Sequence, residues 1–330
     1  MLKQIDSCLG SDAAPFLWLL QEIDQGRQGA LLTVTAVHGG APRPVGTHMA
    51  VVSGKRFEGY LSGGCVEPAI ALEVEAVIAG GRDAMLRFGE GSPYFDIRFP
   101  CGGGIDVLVH VGPPPALLED ILDRMARRRP FSLAFEPQAS QLVLVDTVPP
   151  TGWSGSVFHR RYLPGTRLSV AGRGPELEAV ARLGAALGYD IDLATPDADT
   201  IRRLASFVDQ ARHLTSPADD WNMPADPWTA AVLLFHERDW EEAILARCLA
   251  GPHFYIGALG SQRAQASRRE RLLASGHSRA QVDRIAGPIG IIPQARDPST
   301  LALSVLGEIA LRRREADARF DTPVMTRQSD

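Results

Sequence analysis

The chain has 330 residues, 45% hydrophobic and 22% charged, a composition typical of globular proteins and long enough for two domains. The 34 Lys and Arg against 39 Asp and Glu give a formal net charge of −5, which argues against nonspecific binding of nucleic acid. No apolar run is long enough to span a membrane and the amino terminus shows no signal segment, so we expect a cytoplasmic protein.

The first half of the sequence mixes strand and helix patterns without regular alternation. Helices are predicted over residues 13–25, 66–79 and 115–128. Strands are predicted over residues 30–37, 48–52, 57–61, 84–88, 105–111, 131–135, 141–147 and 157–162. These elements predict a mixed α/β amino-terminal domain.

The second half alternates strictly between strand and helix. Strands are predicted over residues 167–171, 189–194, 230–235 and 253–257, and Asp297 is expected to cap a final helix. Such alternation predicts a Rossmann-like, doubly wound parallel sheet with helices on both faces. The pattern changes near residues 163–165, so we predict domains of residues 1–164 and 165–330.

A Gly-Arg-Gly turn at residues 172–174 follows the first strand of this half, as in dinucleotide-binding folds. The third glycine of that fingerprint is replaced by Leu177. The acid that usually binds the ribose is also missing, since Thr195-Pro196 stands at the end of the second strand with Asp197 just beyond. Three interpretations stay open: NAD-dependent hydride transfer, no nucleotide, or a different phosphate-bearing ligand.

Two later loops should reach the same sheet edge, because ligands bind at the carboxyl ends of parallel strands. His236 follows the strand of residues 230–235 and either contacts a ligand or makes a local hydrogen bond. Gly260 and Ser261 open a helix whose amino end would hold a phosphate, with Arg263 pairing to it. The same residues would equally well form a simple tight turn.

Two of the four cysteines, Cys8, Cys65, Cys101 and Cys248, lie in glycine-rich turns, and no two of the four form a CxxC pair that would indicate zinc. Cys65 follows two glycines at the start of a helix, which favours the thiolate. Cys101 precedes three glycines. A thiolate beside glycines could bind a metal or carry sulfur, and a flat ligand could approach it. Alternatively, both cysteines are small buried apolar residues, and Arg43 in the loop of residues 39–46 is either a phosphate ligand or a surface arginine.

Several of these motifs occur in the order found in the XdhC/CoxI family, which the sequence resembles from about residue 28 to residue 312. The matching segments are residues 39–46 (G-x-x-P-R-x-x-G), 63–67 (G-G-C-V-E), 101–103 (C-G-G), 172–174 (G-x-G), 257–263 (G-x-x-G-S-x-R) and the glycine element 287–290. The sequence departs from the family at the acid after the second strand and at residues 236–239, where many relatives have a His-Asp-His run.

The resemblance implies an accessory factor rather than an enzyme. It would bind the molybdenum cofactor transiently, as molybdopterin or its dinucleotide form, support its sulfuration, and insert it into an apo-enzyme of the xanthine dehydrogenase/aldehyde oxidase type. It further implies a cytoplasmic homodimer, with a cysteine desulfurase as a second partner. Two other functions stay open: an NAD(P)-dependent oxidoreductase and a persulfide sulfur-transfer protein.

The candidate cofactor-binding residues come from both halves. They are Arg43, Gly63, Gly64, Cys65, Glu67, Cys101, Gly102, Gly103, Gly172, Gly174, His236, Gly260, Ser261 and Arg263. Cys65 and Cys101 are the candidate sulfur carriers and molybdenum contacts through the cofactor. We expect NAD(H) to bind poorly or not at all, and the cysteine turns to face the carboxyl edge of the second sheet. We also expect Cys101 to matter more than Cys8 or Cys248 for holding the cofactor, with Cys65 second or comparable.

Overall fold

The structure, a computed structural model, describes residues 12–40, 43–64, 66–94, 97, 99, 102–217, 219, 221 and 223–320. By its internal contacts the chain divides into two compact units, Met1–Pro164 and Gly165–Asp330. Across the described ranges, no helix combines the length and apolar character needed to cross a membrane.

The first unit contains three α-helices, a short 3-10 helix (Pro137–Ala139) and nine strands in its described part. The helices are α1 (Ala14–Asp24), α2 (Glu67–Gly80) and α3 (Pro115–Ala126). The strands are β1 (Gly29–His38), β2 (His48–Val52), β3 (Arg56–Gly59), β4 (Ala84–Gly89), β5 (Gly104–Val111), β6 (Phe131–Glu136), β7 (Gln141–Val145), β8 (Gly152–Ser154) and β9 (Val157–Tyr162).

These strands form two antiparallel sheets, in the orders β3-β2-β1-β5-β4 and β7-β6-β9-β8. The central strand β1 is apolar on both faces, because its side chains alternate between two cores. Leu32 packs in a core with Ile70 of α2, whereas its neighbour Leu31 packs in a core with Phe16 of α1 and Ile121 of α3. The first sheet is therefore covered on both sides.

The second unit contains six strands and six helices in its described part. The strands are β10 (Arg167–Gly172), β11 (Asp190–Thr195), β12 (Gln210–His213), β13 (Thr229–Leu234), β14 (Tyr255–Ala258) and β15 (Ile285–Ala286). The helices are α4 (Gly174–Ala186), α5 (Ala198–Leu204), α6 (Arg238–Ala250), α7 (Gln262–Ala274), α8 (Arg279–Val282) and α9 (Pro298–Ala318).

All six strands are parallel, in the order β12-β11-β10-β13-β14-β15. One core joins Val180 of α4 and Val305 of α9 to the sheet, and a second joins Leu245 of α6 and Leu272 of α7 to it. This is the doubly wound Rossmann order, in which the first and fourth strands lie side by side and a crevice opens at their carboxyl ends. The predicted fold class is confirmed.

Candidate functional site

The loop of residues 39–46, hereafter the proline loop, joins β1 to β2 in the first unit. Ala41 and Pro42 within it lie outside the described residues. Its last residue, Gly46, accepts a hydrogen bond of 2.8 Å from Nε of Arg160 on β9. A side chain on Gly46 would collide with Arg160, whose Cδ lies 2.5 Å from the position a Cβ would take. Strand β9 thus fixes the end of this loop.

Arg43 is exposed, and its Nε donates a hydrogen bond of 3.3 Å to the carbonyl oxygen of Ser62. Ser62 begins the turn of residues 62–67 that precedes α2. The proline loop and the first glycine–cysteine turn, which are 19 residues apart in sequence, therefore meet in the structure.

Glu67 holds this turn together from the first position of α2. Its carboxylate is buried and accepts hydrogen bonds from the backbone N–H of Ser62 at 2.7 Å, the Ser62 hydroxyl at 2.8 Å and the backbone N–H of Val66 at 3.2 Å. Gly63 and Gly64 are exposed, and a Cβ on Gly63 would meet nothing within 4 Å. The turn thus has a fixed base and an open outer face, while Cys65 lies outside the described residues.

The second glycine turn packs against the same loop. A Cβ on Gly103 would lie 2.6 Å from the carbonyl oxygen of His38 and closer still to that of Gly40, so only glycine fits. Gly102 is exposed with a φ of +73° and open space around it. The proline loop therefore contacts both glycine turns, although Cys101 itself lies outside the described residues.

A polar cluster that the sequence did not reveal lies beside this junction. His38 ends β1, and its Nε2 lies 2.9 Å from Oδ2 of Asp106 on β5. Arg87 on β4 donates from Nε to Oδ1 of Asp106 at 2.6 Å and from Nη2 to Oδ2 at 3.0 Å. The Arg87 guanidinium, with a smaller contribution from His38, lowers the pKa of Asp106. His38 pairs with Gly104 in the sheet, so the cluster borders the second glycine turn.

In the second unit, the Gly-Arg-Gly turn follows β10 as predicted. A Cβ on Gly172 would lie 2.5 Å from the carbonyl oxygen of Leu234, so the glycine allows β10 and β13 to approach closely. Gly174 has a φ of +82° and begins α4. Leu177, at the position of the missing third glycine, is fully buried in the core below.

Asp197 stands just beyond the end of β11, near the usual place of a ribose-binding acid. Its carboxylate caps α5 instead, accepting from the backbone N–H of Asp199 at 2.9 Å and from the hydroxyl of Thr200 at 2.6 Å. The Thr200 hydroxyl bond is the main cause of a lowered pKa at Asp197. This carboxylate is therefore already engaged within the protein.

A crevice of about 510 Å³ lies at the carboxyl ends of β10, β13 and β14. Of the predicted residues, His236 and Gly260 line it, whereas Ser261 and Arg263 are not among its lining residues. Ser261 caps α7, accepting from the backbone N–H of Ala264 at 3.2 Å. The lining also includes the arginines 238, 268, 271 and 296, none of which the sequence pattern marked as a ligand.

One wall of the crevice is fixed by a buried ion pair. Arg268, only 2% exposed, donates from Nε and Nη2 to the two carboxylate oxygens of Glu241 at 2.6 and 2.7 Å. Its Nη2 also donates to the carbonyl oxygen of Leu259 at 2.7 Å. This bidentate ion pair fixes the Arg268 side chain of α7 against α6.

Cys248 is a structural residue of α6. Its Sγ lies 3.6 Å from Sδ of Met223, and burial raises its pKa to about 12, so the thiol stays protonated. Cys8 lies outside the described residues. Among the residues that the structure describes, no group of three or more His, Cys, Asp or Glu side chains is placed to hold a metal ion.

Known proteins that are similar to this chain identify the family to which it belongs. A family model described as the XdhC Rossmann domain matches residues 168–309, and one described as the XdhC and CoxI family matches residues 22–89. The chain is 38% identical over 291 residues to the molybdenum cofactor insertion chaperone PaoD of Escherichia coli (strain K12), covering 88% of this chain and 85% of that protein. The chain belongs to the XdhC and CoxI family, and the predicted resemblance is confirmed.

Two further proteins are similar over most of their length. A protein of Bacillus subtilis (strain 168), described as a probable subunit of xanthine dehydrogenase, is 22% identical over 324 residues, covering 88% of this chain and 95% of that protein. A crystal structure described as a xanthine dehydrogenase from Bacillus halodurans superposes with a TM-score of 0.73 at 19% identity, covering 92% of this chain and 96% of that one. At that identity the second likeness concerns the fold alone.

Proposed function

We propose that the protein carries the molybdenum cofactor, supports its sulfuration, and inserts it into an apo-enzyme of the xanthine dehydrogenase/aldehyde oxidase type. The 38% identity to a protein named as a molybdenum cofactor insertion chaperone supports this function. The structural observation that carries the proposal is the junction in the first unit, where the proline loop contacts both glycine turns. The loop that carries Arg43 contacts the first turn at Ser62 and the second turn at Gly103.

The junction suits a flat, phosphate-bearing cargo. Gly63 and Gly102 are exposed, and a Cβ on either would meet no described atom within 4 Å apart from its chain neighbours, so a planar ring can approach the backbone closely. Arg43 places an exposed guanidinium beside the first turn, and guanidinium groups bind phosphate through paired hydrogen bonds. The cluster of His38, Arg87 and Asp106 adds polar groups at the second turn.

Cys65 and Cys101 are proposed as the thiolates that contact the cargo or pass sulfur to it, with Cys65 second or comparable to Cys101. A thiolate is a soft ligand for a transition metal and also a carrier of transferable sulfur. A cysteine desulfurase as sulfur donor, a homodimeric state and a cytoplasmic location belong to the same proposal. We expect NAD(H) to bind weakly, because Leu177 fills the core and Asp197 already caps a helix.

The test measures molybdenum retained by the full chain. Parent and variants are mixed with purified cofactor, separated by gel filtration, and assayed for bound molybdenum by mass spectrometry and for activation of an apo-enzyme. Cys101→Ala and Cys65→Ala are expected to lose most retention, and Arg43→Gln to bind about tenfold more weakly, as for loss of a charged hydrogen bond. The controls are Cys248→Ala and Arg82→Gln, an exposed arginine of the same unit.

The controls should retain molybdenum as the parent does. If both glycine-turn cysteine variants retain as much molybdenum as the parent and activate the enzyme equally, the proposed role of the cysteines is wrong. If Arg43→Gln also behaves like the parent, the junction does not bind the cargo. Tight binding of NADH in a parallel titration would favour the oxidoreductase instead.

A further inference from the structure

The crevice of the second unit concentrates positive charge that the proposed function does not use. The helices α4, α6 and α7 begin directly after β10, β13 and β14, and α9 begins after Asp297 next to the same lining. The amino end of each helix carries a partial positive charge from its unpaired backbone N–H groups. Several such ends therefore meet at one edge of the sheet.

Two exposed arginines add full charges to this edge. Arg238 is the first residue of α6, and Arg296 immediately precedes the residue that caps α9. Both line the crevice. A cation at a helix amino end is the unfavourable arrangement, since the dipole there prefers an anion. The first turn of α6 also holds Asp239 and Glu241, of which Glu241 is bound by Arg268, and Asp297 caps α9. Arg238 and Arg296 nevertheless place cations at helix ends where the dipole favours an anion, which is expected where an anion binds.

Most of the carboxylates around the crevice already accept hydrogen bonds from other groups of the protein. Glu241 is bound by Arg268, and Glu237 pairs with Arg173 at 3.0 Å. Asp297 caps α9 by accepting from the backbone N–H of Thr300 at 2.8 Å, and Glu242 accepts from Arg271 at 3.1 Å.

The cavity itself keeps an excess of cations. Within the described part of the chain, the side chains of Arg238 and Arg296 have no hydrogen-bond or ion-pair partner. The lining holds four arginines, 238, 268, 271 and 296, against two glutamates, 176 and 241. Its volume of about 510 Å³ is within the range of small-molecule sites.

We propose that this crevice binds a diphosphate group, held by the guanidinium groups of Arg238 and Arg296 and by the helix amino ends. Arg268, which is held in place by its ion pair with Glu241, and Arg271 of α7 also line the crevice. Two arginines on separate segments suit a ligand with two phosphoryl groups better than a ligand with a single one, because each guanidinium group can bind its own pair of phosphate oxygens. This site is an addition to the proposed function, and the case for it does not depend on that function.

The test titrates the full chain calorimetrically with inorganic pyrophosphate and, separately, with ADP, at low ionic strength. Arg238→Gln and Arg296→Gln are each expected to lower the association constant about tenfold, and the double variant more. The matched control is Arg279→Gln, an exposed arginine at the first position of α8 that is not among the residues lining the crevice. Glu176→Gln should strengthen binding, because it removes a repelling carboxylate from the lining.

If pyrophosphate binds as tightly as ADP does, the diphosphate alone is the group that the site recognises. If ADP binds more tightly than pyrophosphate, the site also recognises the nucleoside. Either result supports the site. The proposal is overturned if neither probe binds the parent, if the Arg238 and Arg296 variants bind like the parent, or if Arg279→Gln loses as much affinity as they do. Circular dichroism of each variant establishes that it is folded. Since no molybdenum is present, these results are independent of the cofactor-retention test.

Discussion

Replacing Gly103 by alanine is expected to push the second glycine turn away from the proline loop. The new Cβ would lie 2.6 Å from the His38 carbonyl oxygen and closer still to that of Gly40, and both neighbours are backbone. Ordinary carbon–oxygen contacts begin at about 3.3 Å, so the chain must move by roughly 0.7 Å or more. Overpacking of this kind costs about 1–3 kcal/mol of unfolding free energy.

For a unit of this size, that loss corresponds to a fall in Tm of about 2–12 °C, measured by circular dichroism or calorimetry. The control is Gly63→Ala, where a Cβ meets nothing within 4 Å, and its Tm should stay within about 1 °C of the parent. Molybdenum retention measured well below the transition should fall for Gly103→Ala, because the junction is displaced. A Gly103→Ala protein that unfolds at the parental temperature would refute the backbone packing described for this turn.

Three other substitutions test the cores and the turn. Burial lowers the pKa of His48 to about 3, below its unfolded value of 6.5, so the first unit should lose up to about 1.4 kcal/mol per pH unit as the pH falls from 6.5 toward 3. Urea unfolding measures this, and an equally steep slope in His48→Gln would contradict it. Burial raises the pKa of Asp192 to about 6, above its unfolded value of 3.8, so its contribution to stability is lost as the pH rises from 4 to 6. Asp192→Asn should therefore stabilise the second unit by about 2–3 kcal/mol at pH 7 and by little at pH 4; equal effects at both would count against the assignment. Glu67→Ala should cost about 2–4 kcal/mol, because it leaves the buried N–H groups of Ser62 and Val66 without their acceptor, whereas Glu73→Ala on the same helix should cost little in the same assay.

The second unit could be anticipated from its sequence because each buried strand is an apolar run next to a helix with an apolar stripe. The predicted strand of residues 230–235 and the Asp297 cap both appear within a residue of their expected places. Strand β12 was missed for a physical reason: all four of its residues are exposed, so no apolar pattern marks it. The strand predicted over 57–61 ends at Gly59, whose positive φ of 92° turns the chain away.

The candidate site was only partly accessible from the sequence. The glycine turns were identified one by one, but the contact of each turn with the proline loop depends on β1 pairing with β5 and on the bond from Arg43 to Ser62. The cluster of His38, Arg87 and Asp106 comes from three strands, so no spacing along the chain reveals it. Glu67 was predicted to contact a ligand, and the structure places its carboxylate among local backbone donors instead of at the surface.

The attachment of the proline loop at Gly46 bears on the kinetics of the proposed carrier function. Arg160 holds Gly46, and two residues later the buried His48 ring is hydrogen-bonded to Tyr162, so the loop leaves the core from a rigid base. A segment that is fixed before its ligand arrives, as the Gly46 end of this loop is, gives up little conformational entropy on binding. Capture then needs no slow rearrangement of this segment. In the proposed carrier role, release would then be governed by the contacts made with the cofactor.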